Sequence, residues 1–109
     1  MIFVKPIIQG DTTVISVSIT GHEYNENDIV RFAIAPDMDS SPVISKTMSY
    51  DSQTSEYTVE LSAAETAQLT ANDRYWFDIG IQTPEGKYYR AVPCTEIWVV
   101  PGITEVSNS

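Results

Sequence analysis

The chain has 109 residues, which suits a single domain with its own core. Fifteen acidic residues against six basic ones give a formal net charge of -9, which argues against nucleic acid and anionic membranes as partners. The single cysteine, Cys94, excludes an internal disulfide, and we expect its side chain to be buried or half-buried.

The N-terminal segment MIFVKPIIQG has no basic cluster, and its apolar run is interrupted at Lys5-Pro6. That run is too short for a signal peptide or a membrane span. We therefore expect a protein that is made in the cytoplasm without a signal peptide.

The first half of the chain alternates apolar and polar side chains, the pattern of half-buried strands. TTVISVSIT (12–20) is the clearest example. After a polar loop, further strands are predicted in IVRFAIA (29–35), VISKTMSY (43–50) and EYTVELS (56–62).

A short helix is predicted next, because Ser62 and Glu65 have the spacing of a capping box and helix formers follow them. The strand RYWFDIGIQ (74–82) comes directly after this helix. Tyr75 near its start has the position of a tyrosine corner, in which a buried phenol bonds the backbone a few residues upstream. An ordinary core aromatic is the alternative.

The turn TPEG leads into KYYRAV (87–92), which predicts a hairpin. A tight hairpin would set Ile81 opposite Tyr88 and, continued without a break, would bury Glu96. A bulge at Pro93 avoids this cost, and it points Ile97 and its alternate neighbour Val99 into the core.

These elements predict an all-β fold. We expect an immunoglobulin-like antiparallel β-sandwich of about seven strands, with one short helical turn between the fifth and sixth. The domain is predicted to span residues 1–104, and residues 105–109 are predicted to form a flexible C-terminal tail.

The sequence offers no catalytic motif. His22 is the only histidine and lies in a predicted loop, and no phosphate-binding or nucleophile motif is present. The acidic segments DMDSSP (37–42) and NEND (25–28) could ligate calcium through loop oxygens. The first lacks the glycine and the distal glutamate of an EF-hand loop, so a solvated acidic loop is the preferred interpretation. We predict no enzyme activity, no cofactor and no metal site.

Aromatic side chains give the one indication of a binding surface in the sequence. If the alternate residues of the last strands fill the core, Trp76 and Trp98 project from the opposite face, and we expect Tyr89 to join them. Such a face would dock a protein or stack against sugar rings. The alternative is that a loop or the terminal strand covers the tryptophans.

Four segments together resemble a known family: IQGDTTVISVSIT, DIVRFAI, VELSAAETAQLTANDRYWFDIGIQTPEGK and IWVVPGIT. The sequence is similar to the N-terminal immunoglobulin-like domain of baseplate upper proteins of siphophages that infect Gram-positive bacteria. The resemblance covers residues 8–104. The matching positions are Gly10, Asp11, Thr12, Val30, Arg31, Phe32, Leu61, Thr66, Leu69, Tyr75, Phe77, Asp78, Ile79, Gly86, Val99, Ile103 and Thr104.

The resemblance implies a structural role in a phage or prophage virion, with other tail proteins or further copies of the chain as partners. Those proteins continue into helical linkers and oligomerising regions, whereas this sequence ends at Ser109. We therefore expect the host-recognition part to be absent. A glycan-binding sandwich is the alternative function.

Overall fold

The computed structural model describes residues 5–21 and 23–102. Within them the chain forms eight strands and one short helix. The elements are β1 (Ile7–Ile8), β2 (Thr13–Val17), β3 (Ile29–Ala35), β4 (Ile44–Thr47), β5 (Ser49–Asp51), β6 (Glu56–Leu61), α1 (Ala63–Ala67), β7 (Arg74–Gln82) and β8 (Tyr88–Val100). None of the helical structure in these residues is long and apolar enough to cross a membrane.

The strands form two sheets. One has five strands in the order β1-β8-β7-β3-β4, and the other has three in the order β2-β6-β5. The pairs are antiparallel, as predicted, except that β1 runs parallel to β8. A parallel pair needs a long connection, and here nearly the whole domain lies between the two strands.

Both sheets contribute to one hydrophobic core. Phe32 and Phe77 come from the five-stranded sheet, with ring centroids 5.7 Å apart. Val59 and Leu61 come from β6 of the other sheet, and they belong to the same buried cluster. Burial of these alternating side chains drives the two sheets together, and the predicted β-rich, sandwich-like fold is confirmed.

The strand count differs from the prediction of about seven, and α1 follows the sixth described strand instead of the fifth. One cause is Met48, where the predicted strand 43–50 divides into β4 and β5. Met48 is buried and donates its backbone N–H to the carbonyl of Val30 at 2.7 Å. The chain thereby leaves one sheet for the other, a change that alternation of side chains does not reveal.

The pairing of β7 with β8 contains the predicted irregularity at Pro93, but not the predicted hairpin register. Ile81 lies opposite Tyr89 and not Tyr88, and the register shifts twice along the pair. The predicted outcome holds, because Ile97 and its neighbour Val99 are buried. The second one-residue shift cancels the effect of the first, because side chains alternate between faces with a period of two residues.

The helix and the following strand form a tight corner. Ser62 accepts a hydrogen bond from the Glu65 backbone N–H at 3.1 Å, and Glu65 accepts one from the Ser62 N–H at 2.9 Å, which is the predicted capping box. Tyr75 is buried, and its hydroxyl accepts a hydrogen bond from the Thr70 N–H at 2.8 Å. This is the contact that defines a tyrosine corner.

Three sequence-based features fall outside the described residues. They are His22, the last two positions of the family resemblance at Ile103 and Thr104, and the predicted tail at 105–109.

Candidate docking face

The five-stranded sheet has one side that faces away from the core. Residues directly opposite on antiparallel strands point to the same face, and the register pairs Arg74 with Trp98 and Trp76 with Glu96. We call this side the outer face. Its aromatic and charged side chains are Arg31, Arg74, Trp76, Asp78, Tyr88, Arg90, Glu96 and Trp98.

Trp98 is held in place although it is 48% exposed. Its indole N–H donates to one carboxylate oxygen of Glu96 at 2.8 Å, and Arg74 donates to the other at 3.3 Å. The Arg74 guanidinium also lies 5.2 Å from the centre of the Trp76 ring. These contacts link both tryptophans through one ion pair, so that the exposed Trp98 ring is hydrogen-bonded to its neighbour on the sheet.

A second group lies further along the same strands. Arg90 donates to Asp78 at 3.1 Å, and its guanidinium lies 4.5 Å from the centre of the Tyr88 ring. The Tyr88 phenol lies over Gly80, where a Cβ atom would overlap it. A glycine inside a strand often marks such a close approach, and here it leaves room for the Tyr88 phenol.

A groove of about 330 Å³ runs between these groups and the loop that joins β3 to β4. The small side chains of Ala33 and Ala35 lie along it, and Trp76 beside it is only half-buried. Other residues that line the groove are Arg31, Asp37, Met38, Ser40, Pro42, Ser45, Asp78, Tyr88, Arg90 and Cys94. The mixture of aromatic, ionic and hydroxyl groups gives a surface that can bind polar ligands as well as protein side chains.

Two of the three predicted aromatic residues meet on the outer face. Trp76 and Trp98 lie there, but Tyr89 lies opposite Ile81, whose side chain is in the core. The placement of Tyr89 with the tryptophans is therefore wrong, because the hairpin is offset by one residue from the tight pairing. Tyr88 takes this position on the outer face instead. Gly80 could have indicated it from the sequence, because a glycine inside a strand often marks the close approach of another group.

The acidic loop at 37–42 uses its polar groups in its own turn. The Asp37 carboxylate accepts a hydrogen bond from the backbone N–H of Asp39 at 2.9 Å. The backbone N–H of Asp37 donates to the Ser40 hydroxyl at 3.2 Å. In the ranges 5–21 and 23–102, no three histidine, cysteine or acidic side chains come together to hold a metal ion. Cys94 is exposed at the β8 bulge, so its predicted burial is wrong.

No protein-family model matches the chain, and no curated protein is significantly similar to it.

Proposed function

We propose that the chain is a non-enzymatic structural module of a phage or prophage tail. It is made in the bacterial cytoplasm and assembles into the virion, where it docks onto other tail proteins through the outer face. The observation that carries this proposal is Trp98, which is half-exposed and yet held by Glu96 and Arg74.

An immunoglobulin-like topology is part of the proposal. The order β2-β6-β5 corresponds to strands B-E-D of that fold, and β8-β7-β3 corresponds to G-F-C. The hydrogen bond of Tyr75 supports the same assignment. In antibody domains the second cysteine lies two residues after this tyrosine. Phe77 occupies that place here, and it packs on Phe32 of β3.

The resemblance to phage baseplate domains gains physical support where three matching positions meet. The hydroxyl of Thr66, in α1, donates to the Asp11 carbonyl at 2.7 Å and accepts the Gly10 N–H at 3.1 Å. Thr66 is completely buried. A buried hydroxyl needs partners of this kind, so the spacing of these three residues reflects one specific contact.

The arrangement of charge supports docking by this face. All three arginines of the chain, Arg31, Arg74 and Arg90, lie on the outer face, although the formal net charge is -9. Arginine and tryptophan are the residue types enriched at protein interfaces. Ordered side chains also lose less conformational entropy when a partner binds.

The test begins with the genes that flank the coding sequence. If their products are tail proteins, each is purified and titrated with the chain in isothermal calorimetry. We expect Trp98→Ala to weaken the complex at least tenfold, the loss typical of a binding hot spot. The matched control is Val14→Ala, which changes an exposed apolar residue on the three-stranded sheet and should leave binding unchanged.

Equal affinity of the two variants would overturn docking by the outer face. A gene neighbourhood without virion genes would overturn the phage assignment. Native mass spectrometry of the chain alone tests self-association through the same face, and Trp98→Ala should then shift the protein to monomer.

Glycan binding is a second candidate, which the groove beside Trp76 favours. Its aromatic rings and its Asp78–Arg90 pair are the kinds of groups that bind a polar ring ligand. Titration with a broad oligosaccharide panel should change the tryptophan fluorescence. A flat response across the panel removes this candidate.

A further inference from the structure

We propose a second docking site at the free edge of β8. Residues Tyr88–Val92 accept an extended segment of a partner protein as an added strand, and this segment carries apolar side chains at alternate positions. The inference rests on the proposed function only in that the partners are proteins, and it concerns a different surface.

The first observation is an unequal pairing of β8. This strand has 13 residues and pairs with β7 along most of its length. On its other side, β1 pairs only with Val99 and Val100. In the described part of the chain, no strand pairs with that side of Tyr88–Val92. A strand edge presents backbone N–H and C=O groups that an incoming strand can bind.

The second observation is an opening between the two sheets beside this edge. It has a volume of about 480 Å³, and Ile19, Ile81 and Ala91 contribute apolar side chains to its walls. Along the same side of the sandwich, Ile15 and Val17 of β2 are only partly buried, although they pack against the core. Among the described residues, the interior is therefore incompletely covered where the β8 edge is free.

The exposure of Tyr89 also supports a docking site at this edge. Tyr89 lies opposite Ile81 on the side of the sheet that faces the core, yet it is 49% exposed. An added strand would cover its ring and would direct every second side chain into the opening, because strand side chains alternate between faces. The neighbouring Pro93 has no N–H, so pairing ends near Val92 and the inserted segment is short.

The charge of the chain favours another protein over a second copy of this chain as the partner at the β8 edge. Two copies that paired through β8 would bring together two Arg90 side chains, and each copy carries a formal net charge of -9. Like charges opposite each other in a sheet are destabilising. We therefore assign the site to a different chain whose segment is neutral where it lies opposite Arg90.

Hydrogen exchange on the protein alone gives the first test. Alternate amides of Tyr88–Val92 point away from β7, and these should exchange far faster than the amide of Ile79 in the centre of the sheet. Uniformly slow exchange along this segment would mean that the edge is already covered, and it would overturn the proposal.

The second test uses a capped synthetic peptide, Lys-Val-Thr-Val-Thr-Val-Lys, titrated into isotope-labelled protein up to millimolar concentration. We expect NMR shift changes at Tyr88–Val92 and slowed exchange of its fast amides. The same peptide with proline at its central valine should bind at least tenfold more weakly, because proline removes the N–H and the strand geometry. Absence of shifts at this edge, or equal binding of both peptides, would overturn the inference.

Two variants separate this site from the outer face. Tyr89→Ser should weaken the valine peptide at least fivefold, whereas Trp98→Ala should leave its affinity unchanged. The reverse result would assign the peptide to the outer face and overturn the edge site. If Trp98→Ala has no effect on a tail-protein complex but the peptide binds as expected at β8, the outer-face proposal fails and this one stands.

Discussion

Two buried tyrosines differ in what their hydroxyl groups contact. The Tyr75 hydroxyl accepts the Thr70 N–H at 2.8 Å. The Tyr57 hydroxyl is buried and has no hydrogen-bond partner in the described structure. Burial, followed by the negative charge of Asp28, raises the pKa of Tyr57 above its usual value of 10.0. Replacing each tyrosine with phenylalanine therefore removes a hydroxyl group from a site with a hydrogen bond and from a site without one.

Tyr75→Phe should lower the free energy of unfolding by about 1 kcal/mol, because it leaves the Thr70 N–H without its partner. Urea denaturation followed by circular dichroism measures this change. A loss of under about 0.3 kcal/mol would mean that the corner hydrogen bond contributes nothing net.

Tyr57→Phe is the matched control at the other site. Its hydroxyl makes no hydrogen bond with any residue in the ranges 5–21 and 23–102, and a buried polar group without a partner costs free energy. We expect the variant to be as stable as the parent protein or more stable, by up to about 1 kcal/mol. A clear destabilisation would show that the phenol has a partner, such as a bound water molecule.

Among the elements, α1 connects the two sheets through its capping box. Lys46, on the edge strand β4, donates to the Glu65 carboxylate at 2.8 Å and to the Glu60 carbonyl at 2.7 Å. The same carboxylate accepts the Ser62 N–H. The Glu65 side chain thus caps α1 and also binds β4 at the edge of the opposite sheet.

Acid titration should reveal this connection. The hydrogen bond from Lys46, with the Ser62 backbone bond second, lowers the pKa of Glu65 below 4.5. A lowered folded-state pKa stabilises the protein above the unfolded value, and the benefit is lost as the pH falls below about 4.5. In Glu65→Gln this part of the acid destabilisation should be absent, and thermal melts between pH 3 and pH 6 measure it. Identical pH profiles would contradict the prediction.

The contact between β7 and β8 at Gly80 gives another prediction at this scale. Gly80→Ala introduces a methyl group where the Tyr88 phenol lies, so we expect a loss of stability that disappears in a Tyr88→Ala background. A double-mutant cycle measures this coupling. Gly86→Ala is the control: its φ of 89° disfavours any other residue, so its cost should not depend on Tyr88. An equal cost of Gly80→Ala in both backgrounds would contradict the contact.

For the whole molecule, a single core implies a single folding unit. Side chains from both sheets belong to one buried cluster, so neither sheet can bury its apolar face alone. Thermal unfolding should therefore be one cooperative transition. Tryptophan fluorescence, which reports on β7 and β8, and far-ultraviolet circular dichroism, which reports on all strands, should give the same midpoint. Separate midpoints would indicate that the sheets unfold independently.

Local sequence determined much of this architecture. The alternation in β3, β6 and β7 predicts which side chains are buried, because a strand with one covered face must repeat every two residues. The capping box was also predictable, since its hydrogen bonds join residues only three positions apart.

Tertiary structure alone decided the features that depend on pairing between distant segments. The parallel position of β1, the division of a predicted strand at Met48 and the two register shifts in β8 depend on partners far away in the sequence. The position of Tyr89 shows the consequence most clearly. A one-residue difference in hairpin pairing exchanges the two faces of a strand, so Tyr88 lies on the outer face and Tyr89 lies beside the opening between the sheets. Composition and spacing specify which residues alternate, but the energy of the whole pair of strands selects the register.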